Sequence, residues 1–302
     1  MSLFQALSGL AVRHLDRSQV AVLRSRYHAL RIRLAPLLRA YRGSFDTKEL
    51  REHLDKKLKG DFEILMVHSS VNNLQPAFTG DAFGLLRMLI EFCGPERTLV
   101  MPAFFSAMAS IPLVQYSQKP RASTSVGRLF ADGLLTELFR RSKGVVQSRH
   151  PIYRVSALGP LAPELVRGHE NAVSQCGLGT PFDYMARHDT LIIGIGKPFE
   201  VLTQIHHCED LLGRDFPVPS VQAEPLSMTI VDGAEEVPLV LSGRFIEGRR
   251  NMWKLREIMG QDLLREWSFH GVPLFATWAS DVTRCLLEAA QKGITLYDKN
   301  SA

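Results

Sequence analysis

The chain has 302 residues, of which 45% are hydrophobic, so it can bury a sizeable core as one large domain or two small ones. No run approaches the roughly 18 apolar residues of a bilayer span, and the N-terminus lacks a secretory signal, so the sequence predicts a cytoplasmic globular protein. The formal net charge is +5, but residues 1–43 contain eight Arg, no Lys and one acidic residue, so the positive excess belongs to this segment.

This basic N-terminal segment has the spacing of an amphipathic helix. Its apolar residues recur at steps of three and four and are Val20, Leu23, Tyr27, Leu30, Leu34, Leu37 and Tyr41. Arg17, Arg24 and Arg31 repeat every seven residues along one flank, and Pro36 should end one helix and start another because it lacks the backbone N–H. Three roles stay open: packing on the chain itself or on a homodimer partner, docking on an anionic membrane or acidic partner, and an organelle transit peptide.

Strand and helix patterns alternate after this segment. Asp46 and Glu49 form a capping box, so we place the boundary here, between a basic helical arm (1–45) and an α/β domain (46–302). The next predicted elements are strands at 62–70, 98–104 and 190–196, a helix at 81–95, and a second helix from about 128 to 142. The alternation predicts an α/β fold in which helices cover both faces of a central sheet.

Three further patterns refine this prediction. Residues 105–126 show no periodicity, which is typical of a lid or a binding loop. Asp232 and Gly233 stand between alternating apolar residues and predict a hairpin, so we expect the central sheet to be mixed. The last predicted helices are at 251–267 and 280–292.

The stretch VLTQIHHCEDLLG, at 201–213, carries the densest group of chemically active side chains. A helix advances about 100° per residue, so Thr203, His206, Glu209 and Asp210 share one face of a helix over 203–213. Cys208 falls on the opposite, apolar face, which speaks against a Cys–His nucleophile. His206 can hydrogen-bond Glu209 or Asp210 one turn later, and such a pairing fixes the tautomer of a general base.

Two other interpretations of this stretch remain open. A metal site would need a third ligand from elsewhere, and the chain has no H-E-x-x-H pattern. The four cysteines, which are Cys93, Cys176, Cys208 and Cys285, form no C-x-x-C pair and are expected to be reduced. We therefore expect no metal. A histidine satisfied by its neighbours, with a purely structural role, is the second alternative.

Several segments together resemble the aminoglycoside 3-N-acetyltransferase family. They occur in the family's order and are VHSS (67–70), MPAF (101–104), TSVG (124–127), TELFRR (136–141), QSRHP (147–151), TPF (180–182), and Thr203, His206 and Glu209. No single piece is specific, but seven pieces in order are hard to reach by chance. The likeness covers about residues 62–213 and becomes loose in the last third of the chain.

The resemblance implies an acyl-CoA-dependent N-acetyltransferase, in which acetyl-CoA and an amine meet without a metal. In this interpretation His206 is the general base and Glu209 orients its ring. The resemblance suggests five residues for the acetyl-CoA site, namely His68, Ser69, Ser70, Thr203 and His150, and backbone N–H groups near His68–Ser70 for stabilising the thioester oxygen. His150 is equally compatible with a structural role in its loop.

The charged side chains expected near the site bear on the identity of the acceptor. Asp210, Arg149 and Arg154 are the candidate substrate contacts, and Lys119 and Arg121 lie in a nearby loop segment. These basic side chains favour an anionic acceptor, such as a nucleotide-linked amino sugar for cell-surface polysaccharide, over a polycationic aminoglycoside. Aminoglycoside resistance, a His–Glu hydrolase or thioesterase, and a non-catalytic scaffold are the alternatives. No nucleic-acid partner is expected.

Overall fold

The computed structural model describes residues 17–58, 60–104, 122–125, 133–222, 224–232, 234–241 and 244–298. Within these residues a seven-stranded sheet has the order β11-β12-β6-β1-β2-β5-β4, beside smaller sheets β3-β8-β9 and β7-β10. The strands are β1 (Ile64–Ser69), β2 (Thr98–Pro102), β3 (Ala122–Ser125), β4 (Val146–Gln147), β5 (Val155–Leu158), β6 (Thr190–Ile195), β7 (Ser220–Gln222), β8 (Leu226–Asp232), β9 (Glu235–Leu241), β10 (Arg244–Ile246), β11 (Arg265–Phe269) and β12 (Val272–Trp278).

Helices connect these strands and flank the central sheet. They are α1 (Arg17–Arg33), α2 (Ala35–Arg42), α3 (Thr47–Lys57), α4 (Val71–Leu74), α5 (Ala82–Cys93), α6 (Leu134–Arg140), α7 (Ala162–Val166), α8 (Pro181–Arg187), α9 (Ile205–Leu212), α10 (Lys254–Leu263) and α11 (Ala279–Gln291). Helix α1 ends just before Pro36, which lies in the first turn of α2 as predicted. None of the described helices is long and apolar enough to cross a bilayer.

Both faces of the central sheet are buried, and its side chains alternate between two cores. In β1, Leu65 and Val67 belong to one core with α3 and α5, whereas Ile64 and Met66 belong to the other core with α7 to α11. Successive side chains of a strand point to opposite faces, so this alternation shows that helices cover the sheet on both sides. The predicted α/β/α arrangement is confirmed.

The central sheet is mixed, as expected, but its antiparallel strands are not those of the predicted hairpin. The predicted hairpin is present as β8 and β9, with Asp232 paired to Glu235, yet it belongs to the separate sheet β3-β8-β9; Gly233 lies outside the described residues. In the central sheet β1 runs parallel to β2 and β6, while β5 and β12 run antiparallel to their neighbours. The hydrophobic pattern alone could not assign the hairpin to its sheet.

The predicted helix at 251–267 is wrong in its last four residues. Helix α10 ends at Leu263, and residues 265–269 form β11, which pairs with β12 in an antiparallel hairpin. The turn is His270-Gly271, and both residues have positive φ, as a tight two-residue hairpin turn requires. Trp267 and Phe269 both pack against the core. Their spacing of two residues is that of a strand with one buried face.

The boundary at residue 45 stays a prediction. Phe45 is already buried in the core, and the Asp46 carboxylate accepts N–H bonds from Lys48 and Glu49 at the start of α3, as the capping box predicted. The predicted loop at 105–126 falls largely outside the described residues, as do Lys119, Arg121 and the start of the helix expected near residue 128.

We predict that Gly194→Ala destabilises the central sheet. A Cβ at this position in β6 would lie 2.1 Å from the ring of Phe275 and 2.8 Å from the carbonyl oxygen of Lys197. Such overpacking lowers the free energy of unfolding by about 1–3 kcal/mol. Gly84→Ala in α5 is the matched control, because its Cβ would make only ordinary contacts and alanine gains up to about 1 kcal/mol in a helix. Urea unfolding of both variants checks this, and equal stabilities would contradict it.

Candidate active site

Helix α9 presents one face to the core and the other to a cleft. Ile205 and Cys208 are buried in the core on the α7–α11 side of the sheet. At the start of the helix, the Gln204 amide donates to the carbonyl oxygen of Phe182 at 2.9 Å and to the Thr283 hydroxyl at 3.3 Å. The helix therefore has a fixed rotation, and Cys208 points away from His206, as its spacing predicted. The helix is shorter than expected because it begins at Ile205.

His206 and Glu209 form a hydrogen-bonded pair on the cleft face. His206 Nδ1 lies 2.9 Å from Glu209 Oε2. Burial alone would raise the pKa of Glu209, but the hydrogen bond from His206 and the positive charges of His206 and Arg250 hold this pKa below its ordinary value. The carboxylate is therefore ionised at neutral pH. Its partner Nδ1 carries the proton, which leaves Nε2 as the basic nitrogen.

Two residues farther along the chain, Arg250 and Tyr297, hold the Glu209 carboxylate from its other side. An Arg250 terminal nitrogen lies 2.9 Å from Oε1 and 2.8 Å from Oε2, and the Tyr297 hydroxyl donates to Oε1 at 3.1 Å. The same Arg250 nitrogen lies 3.4 Å from His206 Nδ1, a longer and weaker approach than the Glu209 contact. Glu209 thus sits between an imidazole, a guanidinium and a phenol. No spacing in the sequence pointed to Arg250 or Tyr297.

The His206 ring packs against Tyr153, which His150 helps to position. The ring centroids of Tyr153 and His206 are 5.2 Å apart. His150 Nδ1 accepts N–H bonds from Ile152 at 3.2 Å and from Tyr153 at 3.0 Å. Its ring is buried and stacks on His169 at 4.4 Å. These contacts give His150 a structural role in its loop, which is the second of the two roles expected for it.

A cleft of about 830 Å³ opens beside the His206 and Glu209 pair. Tyr153, Asp210, Arg250 and Tyr297 also line it, together with residues from 173–178 and 213–214. Of the ten residues proposed from the sequence, His206, Glu209 and Asp210 line this cleft. Its other walls come from residues that no motif indicated, including Tyr153, which follows the QSRHP segment by two residues.

His207 and Asp210 both hold the backbone of Cys176. His207 Nδ1 donates to the Cys176 carbonyl oxygen at 2.6 Å, and Asp210 Oδ2 accepts the Cys176 N–H at 2.7 Å. These bonds tie the 173–178 segment, a wall of the cleft, to the helix that carries His206. The geometry therefore gives both side chains a structural task, and Asp210 also faces the cleft.

The expected acetyl-CoA contacts at the end of β1 are not in the cleft. His68 and Ser69 are buried, and neither they nor Ser70 are among the described residues that line the cleft. The Ser70 N–H donates to the Ile195 carbonyl oxygen at 3.0 Å, so it is already used within the strand pairing. Thr203 is buried, and its hydroxyl contacts the Val201 carbonyl oxygen at 3.4 Å. The Ser70 N–H is therefore not free to stabilise the thioester oxygen, and the other expected acetyl-CoA contacts stay predictions.

The two arginines proposed as substrate contacts lie elsewhere. Arg154 is 2% exposed, and its Nε donates to the His150 carbonyl oxygen at 3.2 Å. Arg149 forms a salt bridge of 2.7 Å with Glu235 in the small sheet β3-β8-β9. Neither lines the cleft in the described part of the chain. The argument for an anionic acceptor loses its main support, because it assumed that these cations surround the site.

A metal site is not found among the described residues, where no three His, Cys, Asp or Glu side chains converge. Burial raises the pKa of the Cys208 thiol to about 12 and that of Cys176 well above its usual value, so neither is a ready nucleophile. All four cysteines are unpaired thiols. The chemistry that the cleft can perform therefore centres on the His206 imidazole.

Stability should fall in acid because three buried histidines are neutral. Burial lowers the pKa of His68 to about 3 and that of His169 to about 4, and it lowers the pKa of His150 well below 6.5. The unfolded chain binds these protons from about pH 6.5 downward while the folded chain does not. Stability is therefore complete above pH 6.5 and falls by up to about 1.4 kcal/mol per pH unit per histidine as the pH drops towards 3–4.

Urea unfolding between pH 8 and 4 checks this slope. The variant His150→Asn keeps an acceptor oxygen for the neighbouring N–H groups but cannot titrate, so its slope should be shallower than that of the parent. His150→Phe should lose stability at pH 8 as well, because the N–H groups of Ile152 and Tyr153 lose their acceptor. A slope that is the same in His150→Asn and the parent would contradict the assignment.

Sequence comparisons identify relatives of this chain. The family model for aminoglycoside 3-N-acetyltransferase matches residues 66–285, which is more than half of the chain. Aminoglycoside N(3)-acetyltransferase IX of Micromonospora chalcea is 34% identical over 161 residues, which are 50% of this chain and 57% of that protein. Aminoglycoside N(3)-acetyltransferase III of Salmonella sp is 26% identical over 171 residues, 54% of this chain and 59% of that protein. The chain thus matches less than two thirds of the length of either relative.

Solved structures share the fold. Aminoglycoside acetyltransferase AAC(3)-Xa superposes with a TM-score of 0.68 at 18% identity and covers 90% of this chain and 99% of its own. AAC-IIIb, solved as a binary complex with CoASH, has a TM-score of 0.66 at 17% identity, with 84% of this chain and 99% of its own covered. At these identities the likeness concerns the fold, while the family match rests on the sequence of residues 66–285. The chain belongs to the aminoglycoside 3-N-acetyltransferase family.

Proposed function

We propose that the protein transfers the acetyl group of acetyl-CoA to an amine of an aminoglycoside, with His206 as general base. The observation that carries this proposal is the hydrogen-bonded pair of His206 and Glu209 lining a cleft, within the segment that the family model matches. Acyl transfer to an amine requires a base of this kind, because the attacking amine must lose a proton. The relatives that match the chain are named aminoglycoside N(3)-acetyltransferases.

In the proposed reaction the neutral amine attacks the thioester carbonyl carbon. His206 Nε2 takes the proton from the amine nitrogen as the C–N bond forms, the C–S bond breaks, and the CoA thiolate leaves. Glu209 receives the Nδ1–H bond and stabilises the imidazolium that results. Arg250 and Tyr297 keep the carboxylate facing the ring.

The acceptor proposed here is the alternative of the sequence analysis. A nucleotide-linked amino sugar for polysaccharide assembly was favoured because of Arg149 and Arg154, and neither of these lines the cleft. The charged side chains of the described lining are Glu209, Asp210, Arg214 and Arg250, which balance one another. Charge alone therefore selects neither acceptor, and the names of the relatives favour the aminoglycoside.

We predict that His206→Ala lowers turnover by about 10²- to 10⁴-fold, the usual contribution of a general base, while acetyl-CoA still binds. His188→Ala is the matched control, because His188 also pairs with a glutamate, Glu63 at 3.0 Å, but does not line the cleft. Release of CoA thiol measures turnover, and isothermal titration measures acetyl-CoA binding. Undiminished turnover of His206→Ala would refute the assignment of the base.

Substitutions around the carboxylate should have graded effects. Glu209→Gln removes the negative charge that stabilises the imidazolium and leaves Arg250 without its anionic partner, so turnover should fall strongly. Tyr297→Phe leaves the carboxylate charged and removes one of its hydrogen bonds, so it should cost less, at most about 1.5–3 kcal/mol, the usual contribution of a hydrogen bond to a charged group. The ratio of kcat values for the two variants tests the order. A larger loss in Tyr297→Phe would show that Tyr297 itself contacts the reacting groups.

The choice of acceptor is tested separately. CoA release is measured with a panel that holds aminoglycosides, nucleotide-linked amino sugars and no acceptor at all. Stimulation by aminoglycosides alone supports the proposal, and stimulation by the nucleotide-linked sugars reverses it. CoA release that is independent of every amine, and that His206→Ala abolishes, would instead identify a thioesterase that uses the same pair to activate water.

A further inference from the structure

The arm formed by α1 and α2 attaches to the rest of the protein through its arginines. The Arg31 guanidinium donates to the Asn73 carbonyl oxygen at 3.4 Å, and Arg39 Nε donates to the Pro76 carbonyl oxygen at 2.7 Å. The Arg42 carbonyl oxygen lies 2.6 Å from His270 Nδ1 in the β11-β12 turn. No described side chain of α1 or α2 is buried. The polar side of the arm therefore faces the domain.

The apolar side of the arm faces solvent. Backbone hydrogen bonds from Leu34 N–H to Leu30 and from Leu38 N–H to Leu34, both 2.9 Å, carry the helical register across the junction of α1 and α2. At about 100° per residue, one line of side chains then falls within an arc of about 80°. We call this line the apolar stripe, and it consists of Leu23, Tyr27, Leu30, Leu34, Leu37 and Tyr41. Leu30, Leu37 and Tyr41 are 53%, 68% and 85% exposed.

Arginines border the apolar stripe on both sides. Arg26 and Arg33 lie along one edge and are exposed, and Arg31 and Arg42 lie along the other edge. Residues 17–45 contain no Asp or Glu. A second copy of the arm would therefore bring arginine against arginine at both edges in either orientation, which disfavours a homodimer through this stripe.

We propose that the apolar stripe lies in the headgroup region of an anionic membrane. Such a surface accepts leucine and tyrosine side chains a few ångströms deep and surrounds them with negative charge, so the exposed Arg26 and Arg33 along one edge meet anionic headgroups. Arg39 bonds to the domain from the side opposite the stripe, and Arg31 does so from the edge away from Arg26 and Arg33, so the stripe can enter the interface while the domain stays in water. The surface is independent of the proposed acetyl transfer, because no residue of the stripe lines the His206 cleft.

Flotation of the full chain with lipid vesicles tests this inference. The parent should bind vesicles of phosphatidylcholine with phosphatidylserine, bind pure phosphatidylcholine vesicles much less, and be released by 1 M salt, where charge attraction is screened. The double variant Leu30→Ser/Leu37→Ser removes the centre of the stripe and should bind at least about tenfold more weakly. Arg26→Glu/Arg33→Glu should weaken binding by at least about tenfold through the lost attraction.

Matched controls separate the stripe from general surface effects. Ile32→Ser changes an equally exposed apolar residue of α1 that lies on the other side of the helix, and Arg167→Glu reverses an exposed charge on the domain. Both controls should float like the parent, and all variants should keep the parent's thermal unfolding and CoA release. Binding that is equal in the parent and in Leu30→Ser/Leu37→Ser, or absent from the parent, overturns the proposal. A dimer in sedimentation that this double variant dissociates, without vesicle binding, assigns the stripe to a second copy instead.

Discussion

A buried carboxylate organises the site. Glu209 is ionised inside the protein, and an ion in such a place must be compensated by charges and hydrogen bonds from its surroundings. His206 supplies a bond from the same helix, and Arg250 and Tyr297 supply bonds from distant parts of the chain. The requirement to satisfy one carboxylate therefore gathers the end of the chain around α9, and it also fixes which nitrogen of the His206 ring can act as a base.

The central sheet supplies the rigidity that this arrangement needs. Helix α9 cannot rotate because Ile205 and Cys208 are buried beneath it and Gln204 is bonded to Phe182 and Thr283. On the other side of the ring, Tyr153 is held in place because its backbone N–H donates a hydrogen bond to His150. The imidazole is thus placed by packing from both sides, which is the condition under which a general base works efficiently.

The sequence predicted the site residues that lie within one helix, but not those that approach from far along the chain. Helical spacing was enough to place Glu209 and Asp210 within reach of His206 and to turn Cys208 away, because these relations are set within one helical turn. The family resemblance then selected Glu209. Arg250 and Tyr297 approach Glu209 from 41 and 88 positions away, and no local pattern encodes such distances. The same limit applied to the fold. The strand β11 was taken for the end of a helix, and the β8-β9 hairpin was recognised but assigned to the wrong sheet.

The side chains of His207 and Asp210 contact only the backbone atoms of Cys176. Because both bonds end on the carbonyl oxygen and the N–H of one residue, the side chains of the neighbouring Val173, Ser174, Gln175 and Leu178 that face the cleft do not take part in this anchor. The wall can therefore change its chemical character by substitution while its backbone stays in register with the base. In the proposed acetyl transfer, such a division allows the side chains that meet the amine to vary without any change in His206 and Glu209.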